Sequence, residues 1–368
     1  MRLPDWPDIH EERQVKAADF PLALLSLLYG LGVMLRLIVY KRKKKRALPG
    51  FVVSIGNLTV GGTGKTPATA MLADWAIGEG YNVAVLSRGY GGSYRTSVFV
   101  VSDGNDINTG PYMAGDEPYL LARKLRRVPV VISKNRYLAG LTSYNKFKSN
   151  FFILDDGFQH LMLKRDLDLV LINRSSPFGN GHLLPWGRLR EPVKQLCRAD
   201  AFVFTGSGPS LKENDLENVL KNRFQDKPIF TGGHIPEEII FPAENRAYAP
   251  EFLKGKRVVA FAGIARPEVF KDTLTSLGAD LVAFRSFNDH HQFRPDEIQA
   301  LKTAKEETGA DCMITTEKDW VRLASITREY TDLAYLTVRF TLLSGRERFF
   351  RMVKDRIDKV LGTRAGES

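Results

Sequence analysis

FVVSIGNLTVGGTGKTP, residues 51–67, runs from a short apolar segment through a glycine-rich loop to Lys65 and Thr66. The segment 51–57 has the length and β-branched content of a buried strand. Glycines after it let successive backbone N–H groups wrap a phosphate chain at the start of a helix. A strand before the loop and a helix after it are the context that a Walker A phosphate loop requires. Thr59, Val60, Gly61, Gly62, Thr63, Gly64, Lys65 and Thr66 are therefore the candidate ATP-binding residues. Lys65 is placed to bridge the β- and γ-phosphates, and the Thr66 hydroxyl to ligate Mg²⁺. Thr59 stands where the strict pattern has its first glycine. The loop by itself indicates a nucleoside triphosphate and no particular reaction.

Working outward, apolar runs alternate with helical patterns. Strands are expected at 82–87, 128–133, 151–156, 166–173 and 201–206, with helices at 66–79 and 117–126. A second series begins near residue 227, with strands at 257–264, 281–287 and 311–316 and a helix at 267–277. Residues 346–361 have helical spacing and alternating charge. Such alternation predicts a mostly parallel sheet covered by helices. The expected fold is α/β, a P-loop NTPase domain plus a second, smaller α/β domain, preceded by a membrane-associated helix. The expected divisions are 1–46, 47–226, 227–345 and 346–368.

The bulk composition narrows the partners. With 53 basic and 42 acidic residues the chain carries a net charge of +11, which favours anionic partners. Residues 20–40, FPLALLSLLYGLGVMLRLIVY, are apolar except for Arg36, and the run KRKKKR at 41–46 follows directly. This length borders on a membrane span of about 20 residues. Arg36 and the adjacent cations equally fit a helix lying on an anionic membrane surface, and a buried helix with a solvated charged turn is the third reading. Residues 1–19 are polar and acidic and do not resemble a secretory signal. No aromatic-rich RNA-binding motif accompanies the basic run, so nucleic acid is not expected, and no protein partner is evident. Cys197 and Cys312 are the two cysteines, too few and too far apart for a disulfide framework or a zinc site.

Phe151 to Asp156, FFILDD, reads as an apolar strand ending in the carboxylates Asp155 and Asp156, which with Thr66 are the candidate Mg²⁺ residues. Asp116 and Glu117 lie in AGDEP between a strand and a helix. Asp116 there is either a general base for an attacking hydroxyl or a helix cap. His290, in NDHHQF, either forms a dyad with Asp289, pairs across a cleft with Asp116, or sits in a surface turn. Arg88, His160, Arg190 and Glu191 lie in loops, where they either meet phosphate and substrate or hold the loops by salt bridges.

Taken together, SIGNLTVGGTGKTP, LSRGYGG, AGDEPYLLA, LDDGFQH, GRLREP, FNDHHQF and TTEKDWVRL resemble, in that order, the tetraacyldisaccharide 4′-kinases of lipid A synthesis. The resemblance implies transfer of the ATP γ-phosphate to the 4′-hydroxyl of a tetraacylated glucosamine disaccharide 1-phosphate. It further implies Asp116 as base, His290 as its partner, Asp155 and Asp156 on the metal side, and Arg190 and Glu191 near substrate. It places the enzyme on the cytoplasmic face of the inner membrane. The alternative is a membrane-associated P-loop ATPase or GTPase of assembly or transport, with no phosphorylated lipid product. A guanine signature, Asn-Lys-x-Asp, is not matched by Glu317-Lys318-Asp319.

Overall fold

The computed structural model describes residues 20–206, 213–224, 227–323 and 330–365. The polar stretch 1–19 lies outside the described residues. Helix α1 (Phe20–Arg42) leads to β1 (Phe51–Gly56), the glycine loop and α2 (Lys65–Gly78). Then follow β2 (Val83–Ser87), β3 (Phe99–Ser102), α3 (Pro111–Ala114), α4 (Asp116–Lys124), β4 (Val130–Ile132) and α5 (Arg136–Phe147). β5 (Phe151–Asp155), β6 (Leu167–Asn173), β7 (Ala201–Thr205) and α6 (Glu213–Arg223) come next. The remainder comprises β8 (Ile229–Phe241), β9 (Arg246–Tyr248), β10 (Arg257–Ala262), α7 (Pro267–Ser276), β11 (Asp280–Ser286) and α8 (Pro295–Thr308). It ends with β12 (Cys312–Thr316), α9 (Glu317–Leu323), β13 (Leu333–Ser344) and α10 (Arg346–Ala365).

Among the described residues thirteen strands form one sheet, ordered β11-β10-β12-β13-β8-β7-β6-β1-β5-β2-β4-β3, with β9 beside β8. β1 pairs in parallel with β5 and β6, and every one of its residues is buried, as a run covered on both faces must be. The second α/β series is also parallel, β11-β10-β12-β13. It does not form a sheet of its own. β8 pairs in parallel with β7 and antiparallel with β13, so the boundary expected at 227 falls inside a continuous sheet.

The seam between β8 and β13 is irregular. Its register shifts between Leu336 and Val338 and again between Leu342 and Ser344. Pro236, which has no N–H to give, lies opposite Val338 at the first shift. There the Thr337 hydroxyl accepts from Glu238 N–H at 2.9 Å and approaches the Glu238 carbonyl at 3.3 Å, replacing lost ladder bonds. Bulges of this kind increase local twist and bend the strand.

Helix α10 belongs to the first half rather than forming a unit apart. Phe350 stacks on Trp75 of α2 at 4.9 Å, and Phe349 meets Phe230 edge-on at 5.1 Å. Phe349 is 1% exposed within the largest core cluster. Phe349→Ala should therefore cost about 3–5 kcal/mol of stability by chemical denaturation. A loss under about 1 kcal/mol would show that this helix adds little to the core.

Candidate active site

A cavity of about 1510 Å³ opens where the carboxyl ends of both strand sets meet. Its walls include the phosphate loop, Ser87 and Asp155 at the ends of β2 and β5, Thr316 at the end of β12, and the loop after β11. Open α/β sheets place ligands at this edge because helix N-termini and loops converge there.

The loop folds as its glycines demand. Gly64 caps α2 with φ 82, and a Cβ there would lie 2.7 Å from the His234 ring. Asn57 Nδ2 donates to Thr63 Oγ1 at 2.9 Å, and the Thr205 hydroxyl donates to the Thr63 carbonyl at 3.0 Å. Two backbone bonds, Val60 N–H to Arg188 O and Arg190 N–H to Leu58 O, each 2.8 Å, pin the loop to residues 188–190. Thr59 forms an antiparallel bridge with Leu189, which gives the non-glycine position a structural partner.

Lys65 Nζ lies 3.3 Å from Asn57 Oδ1 and 3.8 Å from Asp156 Oδ1. Arg190 grips Asp156 with two bonds, 2.7 and 2.8 Å, and also donates to Asn57. Burial acts to raise the Asp156 pKa, but Lys65 and Arg190 outweigh it and hold the carboxyl well below its usual range. Asp155 is the opposite case. Burial first, then the charges of Glu117 and Asp156, push it up to about 7, against a bond from Thr69 Oγ1 at 3.2 Å. Among the described residues no three His, Cys, Asp or Glu side chains converge as a metal cage. Magnesium does not require one, since it keeps several waters and takes phosphate oxygens. The oxygen set of Thr66 and Asp155 fits that pattern, whereas Asp156 is already committed to two cations.

Asp116 opens α4. Gly115, with φ 86, occupies the N-cap, and no side-chain cap bond is made there. A Cβ on Gly115 would lie 2.4 Å from the Tyr90 carbonyl. The helix-cap reading of Asp116 is thus set aside: its carboxylate turns instead toward the other half of the sheet. Asp116 Oδ2 lies 3.3 Å from His290 Nδ1 and accepts from Arg322 Nε at 2.7 Å. Burial works to raise the Asp116 pKa, but His290 and Arg322 outweigh it, so the carboxyl sits below its ordinary value. The sequence reading foresaw neither Arg322 nor its 1% exposed, fully anchored side chain. Arg322 Nη1 donates to Gly263 O at 3.0 Å and to Asp319 Oδ1 at 2.9 Å. Its motif, TTEKDWVRL, carried the resemblance but suggested no role for it.

The other candidates divide. Glu117 approaches Lys318 at 3.9 Å, and Asp289 lies 3.6 Å from the same lysine. Arg88, Arg36, Arg46, Lys134 and Arg136 bring positive charge to one wall of the cavity. His160 lines that wall too; burial, then Arg136 and Arg165, push its pKa down to about 3, so its ring stays neutral. Glu191 is absent from the cavity wall. It is 1% exposed and paired with Arg198 behind the Arg190 loop. Asn57 and Lys318, absent from the candidates, both line or brace the site.

Gly64→Ala is expected to weaken nucleoside triphosphate binding roughly tenfold or more by calorimetry, from backbone strain plus the His234 clash. Unchanged affinity would contradict the phosphate-loop geometry.

The family profile for tetraacyldisaccharide-1-P 4'-kinase matches residues 18–358. A tetraacyldisaccharide 4'-kinase of Syntrophus aciditrophicus is 39% identical over 346 residues, 90% of this chain and 92% of the relative. One of Geobacter sulfurreducens is 42% identical over 310 residues, 83% and 84% of the two chains. The crystal structure of LpxK from Aquifex aeolicus in complex with ATP superposes with a TM-score of 0.69 at 32% identity, covering 93% of this chain and 98% of that one. With a matching site, a profile spanning nearly the whole chain and relatives of equal length, the chain belongs to the tetraacyldisaccharide 4'-kinase family.

Proposed function

We propose that this chain transfers the γ-phosphate of ATP to the 4′-hydroxyl of a tetraacylated glucosamine disaccharide 1-phosphate. The observation that carries the reading is that Asp116 and Lys65 face one cavity, with Asp116 held by residues of the opposite half. Lys65, the loop amides and the α2 N-terminus meet the phosphate chain and take up charge as it develops on the departing oxygens. When bound, Mg²⁺ neutralises phosphate charge, and Thr66 with Asp155 are the residues that would hold it. Asp116 accepts the proton of the sugar hydroxyl as that oxygen bonds to phosphorus and the bond to ADP breaks. The wall of Arg36, Arg88 and Arg136 suits an acceptor that already bears phosphate. Burial lowers Arg136 only to about 10, so it remains cationic at neutral pH.

A GTPase reading finds no support. Glu317 pairs with Lys124, Lys318 with Glu117 and Asp289, and Asp319 with Arg322, so this segment is occupied in bracing α4.

Helix α1 supports a membrane-surface location. Among the described residues only Ser26 and Val33 of α1 are buried, while Phe20, Leu24, Leu27, Leu31 and Leu35 are among its exposed apolar side chains. This is not the pattern of a core helix. Ser26 Oγ donates to Leu183 O at 2.8 Å and Tyr29 to Arg190 O at 3.0 Å, which holds the helix against the cavity rim. The remaining apolar face and the 41–45 cations are suited to an anionic bilayer, on the cytoplasmic face where ATP is supplied.

Incubation with ATP, Mg²⁺ and the 1-phosphorylated acylated disaccharide should yield, by mass spectrometry, a product heavier by one phosphate. ADP release with unmodified lipid would overturn the reading. Asp116→Ala should lower turnover by roughly 10²–10⁴-fold with ATP affinity retained; wild-type turnover would remove Asp116 from the chemistry. Exchanging Lys41, Arg42, Lys43, Lys44 and Lys45 for Gln should reduce flotation with anionic vesicles, at about 1 kcal/mol per charge. Full flotation would refute the electrostatic contribution.

A further inference from the structure

Behind the cavity wall one buried guanidinium, that of Arg322, contacts both members of the Asp116–His290 pair. We propose that Arg322 is a positioning residue of this kinase, bridging Asp116 and His290 and reserving Asp116 Oδ1 for the proton of the acceptor hydroxyl. The inference rests on the reading of Asp116 as base.

Three observations support it. Arg322 Nε donates to Asp116 Oδ2 at 2.7 Å, and His290 Nδ1 approaches the same oxygen, so both contacts fall on Oδ2. Arg322 Nη2 lies 3.2 Å from His290 Nδ1. On the other side of the ring, His290 Nε2 lies 3.5 Å from Lys318 Nζ and 3.9 Å from Asp289. Finally, Arg322 is not free to drift. Asp319, itself fully buried, accepts from Arg322, from Gly263 N–H at 3.0 Å and from Thr316 Oγ1 at 2.7 Å. The guanidinium is thus fixed from the second half before it reaches Asp116 on α4.

The charged groups around Asp116 are Glu117 on α4, Asp289 and His290 after β11, and Lys318, Asp319 and Arg322 on α9. Of these, Arg322 makes the shortest contact, and a permanent cation at that distance keeps a carboxylate ionised. A base engaged on one oxygen keeps the other for proton transfer, in an orientation set by the opposite half of the molecule.

The test is the pH dependence of kcat/KM for the full chain with ATP, Mg²⁺ and the acylated disaccharide 1-phosphate. Arg322→Gln should move the acid limb upward by roughly 1–3 pH units. It should lower kcat at neutral pH with KM for ATP unchanged, and activity should recover as pH rises. Arg322→Lys, which restores the charge without the fork, should return the acid limb toward wild type while kcat stays reduced. Because Arg322→Gln orphans the buried Asp319 charge, the double variant with Asp319→Asn supplies a folded comparison, checked by thermal melting. An acid limb that does not move in folded Arg322→Gln or in the double variant overturns the proposal. In that event an inactive Asp116→Asn would leave the base assignment standing; an active Asp116→Asn would remove both.

Discussion

The antiparallel pairing of β8 with β13 is the constraint on which the site depends. Each parallel strand set ends its strands along one edge, where loops and helix N-termini gather. A flat antiparallel junction would put the two functional edges on opposite sides of the sheet. Here both edges line one cavity, and the seam that joins them carries two register shifts, a proline and a threonine side chain standing in for ladder bonds. The irregularity of these strands is therefore part of how the phosphate loop comes to face residues that begin more than two hundred positions later.

Electrostatics then hold the facing edges together. α4 and α9 meet through Asp116–Arg322 at 2.7 Å, Lys124–Glu317 at 2.6 Å and the looser Glu117–Lys318 contact at 3.9 Å. The first two are largely shielded from water, where losing one partner leaves an uncompensated charge. Across the loop, the adjacent acids Asp155 and Asp156 are driven apart, one pushed up to about 7 by burial and the other held low by Lys65 and Arg190. Neighbouring carboxylates in unlike surroundings can serve unlike roles. Asp155 stays bonded to Thr69 of α2, while Asp156 holds the cations Lys65 and Arg190.

Much of this was readable from the chain. The strand, glycine loop and helix at 51–78 follow local rules, since backbone freedom, N–H donors and apolar runs all agree there. The short parallel strands announced themselves as unbroken apolar segments. β8 did not: IFTGGHIPEEIIF contains two glycines, a proline and two glutamates, and reads as loop. Only pairing with β7 and β13 makes it a strand, an override of local preference by tertiary contacts. Its partner β13, LAYLTVRFTLLS, alternates in its second half, yet it was not among the expected strands either, and without β8 nothing showed that it would join two strand sets. In the site, Asp116, His290 and Lys65 stood out as chemistry-bearing residues in distinctive motifs. Arg322 did not, because its importance lies in a contact between α4 and α9 that no spacing along the chain encodes. Of the two readings open for Glu191, the structure shows the salt bridge: its neighbour Arg190 faces the cavity, while Glu191 turns inward to Arg198, a choice that adjacent positions in one loop do not encode.

The central claim is that a carboxylate fixed from the second half meets a phosphate chain held by the first. A crystal structure with a non-hydrolysable ATP analogue and the acylated disaccharide tests it most directly. The account requires the acceptor hydroxyl within hydrogen-bonding distance of Asp116 Oδ1, in line with the terminal phosphate on Lys65, with Arg322 still on Oδ2. An acceptor hydroxyl bound away from Asp116, or a nucleotide seated outside the loop of residues 59–66, would contradict it.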